Sequence, residues 1–210
     1  MDESPTLLFS TAPFFRNQVR EGLRRVAEAG YRSVEIMVNQ DPLTQEAHLL
    51  HPVLEELDLS VEVVHAPFLL LTRRVFGTDP MGKIYRSVQL ADLDRYPYLV
   101  LDTSHAAVAG LDILDLYERY RDKLLHVHLS NNAGRGWDSH LPVYQEGVLP
   151  LGPFLEALAS NGFAGTISLE LDLRPYAGDD KAIHEVLVRN REFCEAHLAL
   201  AQTEERPVQR

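Results

Sequence analysis

Six apolar segments of strand length alternate with stretches of helical period along this 210-residue chain, and that alternation narrows its architecture more than any other feature. Leu7–Thr11, Ser33–Val38, Val61–His65, Tyr98–Asp102, Leu124–Leu129 and Thr166–Leu171 read as strands. In Asn17–Gly30, Val19, Leu23, Val26 and Ala27 share one helical face and Gly30 closes the helix. Asp41-Pro42 opens a second helix running to about Leu57, and Met81–Leu93, Leu111–Arg121, Leu151–Asn161 and Asp180–Leu200 supply the others. Strands alternating with helices predict an α/β fold with a parallel sheet and right-handed crossovers. Helix Met81–Leu93 leads almost directly into the fourth strand through Asp94-Arg95-Tyr96-Pro97, so no further strand–helix unit fits there.

Parallel strands covered by helices read as nearly unbroken apolar runs. Here polar residues interrupt them near their C-terminal ends, as His65, Asp102 with His105, His128, Asp138 with His140, and Glu170. Strand parity sorts them. Leu99 and Leu101 oppose Val100 and Asp102; Leu125, Val127 and Leu129 oppose His126 and His128; Ile167, Leu169 and Leu171 oppose Ser168 and Glu170. With the apolar faces against outer helices, Asp102, His128 and Glu170 are expected to converge inside a barrel. Two carboxylates and an imidazole buried together need a proton or a cation, and a divalent metal supplies it. The C-terminal ends of the strands are where an α/β barrel places its active site.

The length suits one domain, residues 1–201, with a polar tail at 202–210. A formal net charge of −11 disfavours nucleic acid as a partner, since a long binding groove needs clustered Lys and Arg. The single cysteine, Cys194, permits no internal disulfide and sits in a helical pattern as a packed thiol. No apolar run is long enough to span a membrane and Met1–Pro5 is acidic, so a cytoplasmic location is expected. Arg73, Arg74, Lys83 and Arg86 follow the third strand as a solvated basic face or as contacts for an anionic group.

The order HAPF, LDTSH, HVHLSNN, WDSH and SLEL resembles the xylose-isomerase-like TIM-barrel superfamily, which holds sugar isomerases and epimerases as well as endonuclease IV. The likeness runs from about Leu7 to Leu200 and is greatest to bacterial proteins called sugar phosphate isomerase/epimerase. It implies a TIM-barrel-like parallel (β/α) fold, shortened here to about six βα units. In the epimerase-like members Glu, Asp, His and Glu from the fifth to eighth strands hold one divalent metal, and Asp102, His128 and Glu170 match the last three. The endonuclease-like members add metals through residues that His65, His105, Asp138 and His140 match. The family's fourth and fifth strands, with a histidine and the first metal-binding glutamate, have no counterpart. Pro142–Gly147 also replaces a glycine-rich turn. Glu35 is the one strand-borne carboxylate placed to substitute for the glutamate, against a simpler role as a structural hydrogen bonder.

The resemblance therefore implies a metal-dependent isomerase or epimerase of a sugar or polyol, using Mn, Mg, Co or Zn. The cation would stabilise an enediolate, Glu170 would move the proton beside the carbonyl, and His105 would touch a substrate oxygen. The alternatives are a zinc-dependent nuclease at abasic sites and a shortened, inactive barrel that binds a ligand or partner. For each polar cluster the plain alternative is a hydrogen-bonded network without a cation. His126 reads as a core neighbour of His128. Six strands close with difficulty, and open edges favour a homodimer.

Overall fold

The computed structural model describes residues 4–14, 19–65 and 96–204, without the side chains of residues 201–204. The expected helix Met81–Leu93 and the basic residues Arg73, Arg74, Lys83 and Arg86 lie outside this set. Six strands are present among the described residues: β1 (Thr6–Ser10), β2 (Ser33–Met37), β3 (Ser60–His65), β4 (Leu99–Asp102), β5 (Leu124–Leu129) and β6 (Thr166–Leu169). They form one all-parallel sheet in the order β3-β2-β1-β6-β5-β4, curled as a half-barrel. The first strand pairs with the last, so among the described residues the order is that of a ring open between β3 and β4. The parallel sheet is the one expected from the alternation, and the shortened TIM-barrel-like architecture is the one the family resemblance implied.

The helices are α1 (Val19–Glu28), α2 (Pro42–Gln45), α3 (Ala47–Leu57), α4 (Thr103–Val108), α5 (Ile113–Tyr120), α6 (Leu151–Ser160) and α7 (Asp180–Glu204). The helix expected from Asp41 to Leu57 is two, because the chain is extended at Glu46 (φ −123°, ψ 105°). Helix α4 was not anticipated. Its start is fixed by the Asp102 carboxylate, which accepts the His105 backbone N–H at 3.0 Å. Asp112 caps α5 in the same way, accepting from the Leu114 and Asp115 N–H groups at 2.8 and 3.1 Å. Gly30, at φ +93°, ends α1 in the left-handed region that glycine enters without a Cβ penalty.

The core lies between the outer face of the sheet and the helices. Phe9, Val34, Ile36, Val127, Leu129, Ile167 and Leu169 pack with Leu23 and Val26 of α1, Phe154, Leu155 and Leu158 of α6, and Val186 and Leu187 of α7. Each such side chain contributes about 1.5–3 kcal/mol by leaving water. Cys194 is fully buried in this layer, and burial pushes its thiol pKa up, as suits a packing residue. On the outer face Val64 is 66% exposed, and Leu125, placed by parity among the covered apolar residues, is 51% exposed. The register shift between β4 and β5 leaves Leu125 as the extra residue, since Leu99 pairs with Leu124 and Val100 with His126.

Candidate metal centre

The inner face of the half-barrel is polar. In register, Asp102 pairs with His128 and His128 with Ser168, so all three point the same way, and Glu170 follows two residues after Ser168. His128 Nδ1 lies 3.3 Å from Glu170 Oε2 and 3.8 Å from Asp102 Oδ2. These three residues, expected to meet, each offer a ligand atom within 4.8 Å of the others. From the opposite wall, Glu35 on β2 reaches His128 Nε2 at 3.1 Å. Strands β2 and β5 are separated by β1 and β6, so in a flat sheet their residues would stand about 14 Å apart at ordinary strand spacing. Curling of the sheet brings them into contact.

A second group sits at the mouth, on α4 and the long loop after β5. Asp138 accepts the Ser104 hydroxyl at 2.6 Å through Oδ1, while Oδ2 lies 3.0 Å from His105 Nε2 and 2.8 Å from His140 Nε2. His105 Nδ1 faces Asp102 Oδ2 at 3.1 Å. His140 Nδ1 is 3.0 Å from both the Ser130 hydroxyl and the Glu170 carbonyl oxygen. The antiparallel bridge between Asn131 and Leu141 folds the loop back over the strand ends. His140 itself has φ +39°, a strained conformation for a non-glycine residue, and it holds the imidazole between Asp138 and Glu170. Asp102, His105 and His140 also qualify as a group able to hold a cation. His105, Asp138 and His140, read together in the sequence, meet through the Asp138 carboxylate. His65 stands beside the first, its ring 5.4 Å from that of His128.

The electrostatics follow from these contacts. Burial lowers the affinity of the His128 ring for a proton, but Asp102, Glu35 and Glu170 outweigh it and push the pKa to about 10. His140 rises to about 9 against the same burial, through Asp138 and Asp102, and His105 is raised as well. Burial would raise the carboxyls of Glu35, Asp102 and Asp138. The facing imidazoles overcome it and hold all three below the ordinary carboxylate range. Both nitrogens of His105 face carboxylates, and both of His128 face acceptors. Two protons on the His128 ring therefore have acceptors on both sides, and the same carboxylates raise the proton affinity of His105.

A third group was not read as one site in the sequence. Glu35, His126 and His128 also present ligand atoms within 4.8 Å of one another. Glu35 is fully buried, which fits the hydrogen-bonding role and places it beneath His128 rather than at the open mouth. The signal was available: His126 shares a strand face with His128, and Glu35 stands alone among apolar residues in SVEIM. A surface cleft of about 640 Å³ between Tyr144, Tyr176 and Arg189 contains no residue of these groups.

Known proteins agree with this architecture. A family described as xylose isomerase-like TIM barrel matches residues 98–191, the stretch that carries Asp102, His128 and Glu170. The described residues thus form a shortened, six-stranded TIM-barrel-like fold. It is similar to a solved xylose isomerase domain protein from Alicyclobacillus acidocaldarius, at 18% identity and TM-score 0.61, over 94% of this chain and 99% of that one. It is also similar to a xylose isomerase domain containing protein from Salmonella typhimurium, at 14% identity and TM-score 0.63, over 93% and 99%. An uncharacterized protein of Mycobacterium tuberculosis is 22% identical over 90% of this chain and 96% of its own length. That alignment spans 271 positions, more than the 210 residues of this chain, so it opens gaps here. An inosose dehydratase of Lacticaseibacillus casei is 23% identical over 60% of this chain and 46% of its own length.

Proposed function

We propose that this protein is a metal-dependent isomerase or epimerase-like enzyme acting on a sugar or polyol. The convergence of Asp102, His128 and Glu170 carries the reading. Two carboxylate oxygens and one imidazole nitrogen suit Mn, Mg, Co or Zn, and partial burial of the set keeps it from being an ordinary solvated acidic surface. The likeness to an inosose dehydratase favours a polyol-type substrate.

A divalent cation held here supplies Lewis-acid polarisation of a substrate carbonyl. Asp102, His128 and Glu170 hold it, and Asp102 is itself steadied as the cap of α4. Glu170 moves the proton at the carbon beside the carbonyl. His105, whose side chain is 39% exposed, is accessible for contact with a substrate oxygen. The substitution Asp102→Asn keeps the cap's shape and removes its charge, so it should lower metal content, measured by elemental analysis, while leaving the helix content intact. Glu170→Gln should abolish carbonyl–hydroxyl isomerisation without unfolding. Full activity in Glu170→Gln would remove that residue from the chemistry, and equal metal content in Asp102→Asn would remove the centre.

The Asp102–His105–His140 group supports a second reading, a zinc-dependent nuclease acting at abasic sites, with a net charge of −11 against it. Cleavage of abasic duplex DNA in the presence of zinc would reverse the ranking. The edges at β3 and β4 favour a homodimer, and a stable monomer in sedimentation would refute that.

A further inference from the structure

We infer that Glu35 is a positioning residue for the metal centre: it accepts the Nε2–H of His128, fixes that ring's tautomer, and so turns the Nδ1 lone pair toward Asp102 and Glu170. The inference rests on the metal-centre reading and extends it to a residue on the opposite wall. A neutral imidazole has one N–H and one lone pair, on different nitrogens. His128 points its two nitrogens at different partners, with Glu35 Oε1 3.1 Å from Nε2 and Glu170 Oε2 3.3 Å from Nδ1. A cation on the Asp102–Glu170 side needs the lone pair on Nδ1, which leaves the proton on Nε2. Glu35 is the acceptor in position to receive it. Metal-binding histidines commonly donate their remote N–H to a carboxylate, which orients the ring and raises its basicity.

Glu35 is built for this position. Its side chain is fully buried, so its geometry is set by packing rather than by solvent. Its second oxygen faces His126 Nε2 at 3.6 Å, and neither atom has a hydrogen bond among the described residues. The Nδ1 of His126 lies 2.7 Å from the Thr166 hydroxyl. If Thr166 donates there, His126 holds its proton on Nε2, and a small tightening brings it onto Glu35. The buried carboxylate then receives an N–H from each ring. The rival arrangement puts a cation between Glu35, His126 and His128, a group that also has compatible spacing. It requires the lone pair of His128 on Nε2 and excludes a cation from using the same ring on the Asp102 side.

Zinc affinity by chelator competition, measured for wild type, Glu35→Gln and Asp102→Asn, separates the cases. Glu35→Gln should weaken zinc binding by about 10- to 100-fold with unchanged stoichiometry, and Asp102→Asn should weaken it further. In zinc-loaded wild type, nitrogen NMR of the imidazoles should show the His128 proton on Nε2, a readout that a merely structural Glu35 would not fix. Melting curves check that the variants fold; if Glu35→Gln does not, the wild-type tautomer decides. Unchanged affinity in Glu35→Gln, or the proton on Nδ1, overturns the inference while leaving the centre intact. Loss of binding in Glu35→Gln with none in Asp102→Asn places the cation in the rival group. Failure of wild type to bind zinc removes the centre and the inference together.

Discussion

Raising the pH should strengthen metal binding about tenfold per unit through neutral pH, and one residue sets the magnitude. In the metal-free protein the His128 pKa is pushed to about 10 because both ring nitrogens face carboxylates. A cation on Nδ1 must displace that proton. At pH 7 about one molecule in a thousand has the ring free, since each pH unit below the pKa costs a factor of ten, or about 1.4 kcal/mol. Between pH 6.5 and 8.5 the apparent affinity for Mn²⁺ should therefore rise about a hundredfold, with about one proton released per ion. Isothermal titration at several pH values, in buffers of different ionisation enthalpy, gives both quantities. Release of two protons would place the ion instead on His105 and His140, whose proton affinity Asp138 and Asp102 also raise. Flat affinity with no proton release would refute the account, because it would mean that His128 is neither charged before binding nor a ligand after it.

The same groups set the stability of the metal-free protein. His128 and His140 have pKa values raised to about 10 and about 9, so their contribution is full below about pH 6.5 and is lost as the pH rises through 9 and 10. Melting temperature in chelator should fall from pH 7 to pH 10, and a constant value would contradict the charged network. The lowered carboxyls of Glu35, Asp102 and Asp138 act with opposite sign: their contribution is present above about pH 4 and is lost as the pH falls further. Gly22→Ala should destabilise despite the better helix propensity of alanine, because the new Cβ would overlap the Phe14 ring near its root; a cost of about 1–3 kcal/mol in urea denaturation is expected. Phe154→Ala should cost about 3–5 kcal/mol, since Phe154 is fully buried between sheet and helices, and a loss under 1 kcal/mol would show that this layer is loosely packed.

The fold was legible because each strand's inner and outer residues differ in kind. His126 and His128 alternate with Val127 and Leu129, and Ser168 and Glu170 alternate with Ile167 and Leu169, so parity alone gives the face that lines the curl. The cluster of Asp102, His128 and Glu170 follows from that parity and from parallel register. Two things did not follow. Helix α4 begins at Thr103 because the Asp102 carboxylate caps it, and the TSHAAV segment is too short to display a helical period. The contact between Glu35 and His128 depends on how tightly six strands curl, a global property that neither β2 nor β5 encodes locally. Sequence reading placed each residue on its face, but the distance across the curl had to come from the structure.

That curl also limits how the three donor groups can be filled. Asp102 belongs to two of them, and a carboxylate can serve two ions at once because it has two oxygens with several lone pairs. His128 belongs to two as well, but a neutral ring offers only one lone pair. The groups at the mouth can therefore be occupied together through Asp102, whereas occupation of the Glu35 group takes His128 away from Asp102 and Glu170. Charge favours the same arrangement. Glu35, Asp102, Asp138 and Glu170 are four carboxylates facing this cavity, and two divalent cations with neutral imidazoles balance them. With one cation, charge balance calls for two protonated rings, and His105 and His140, both beside Asp138, have the geometry for it.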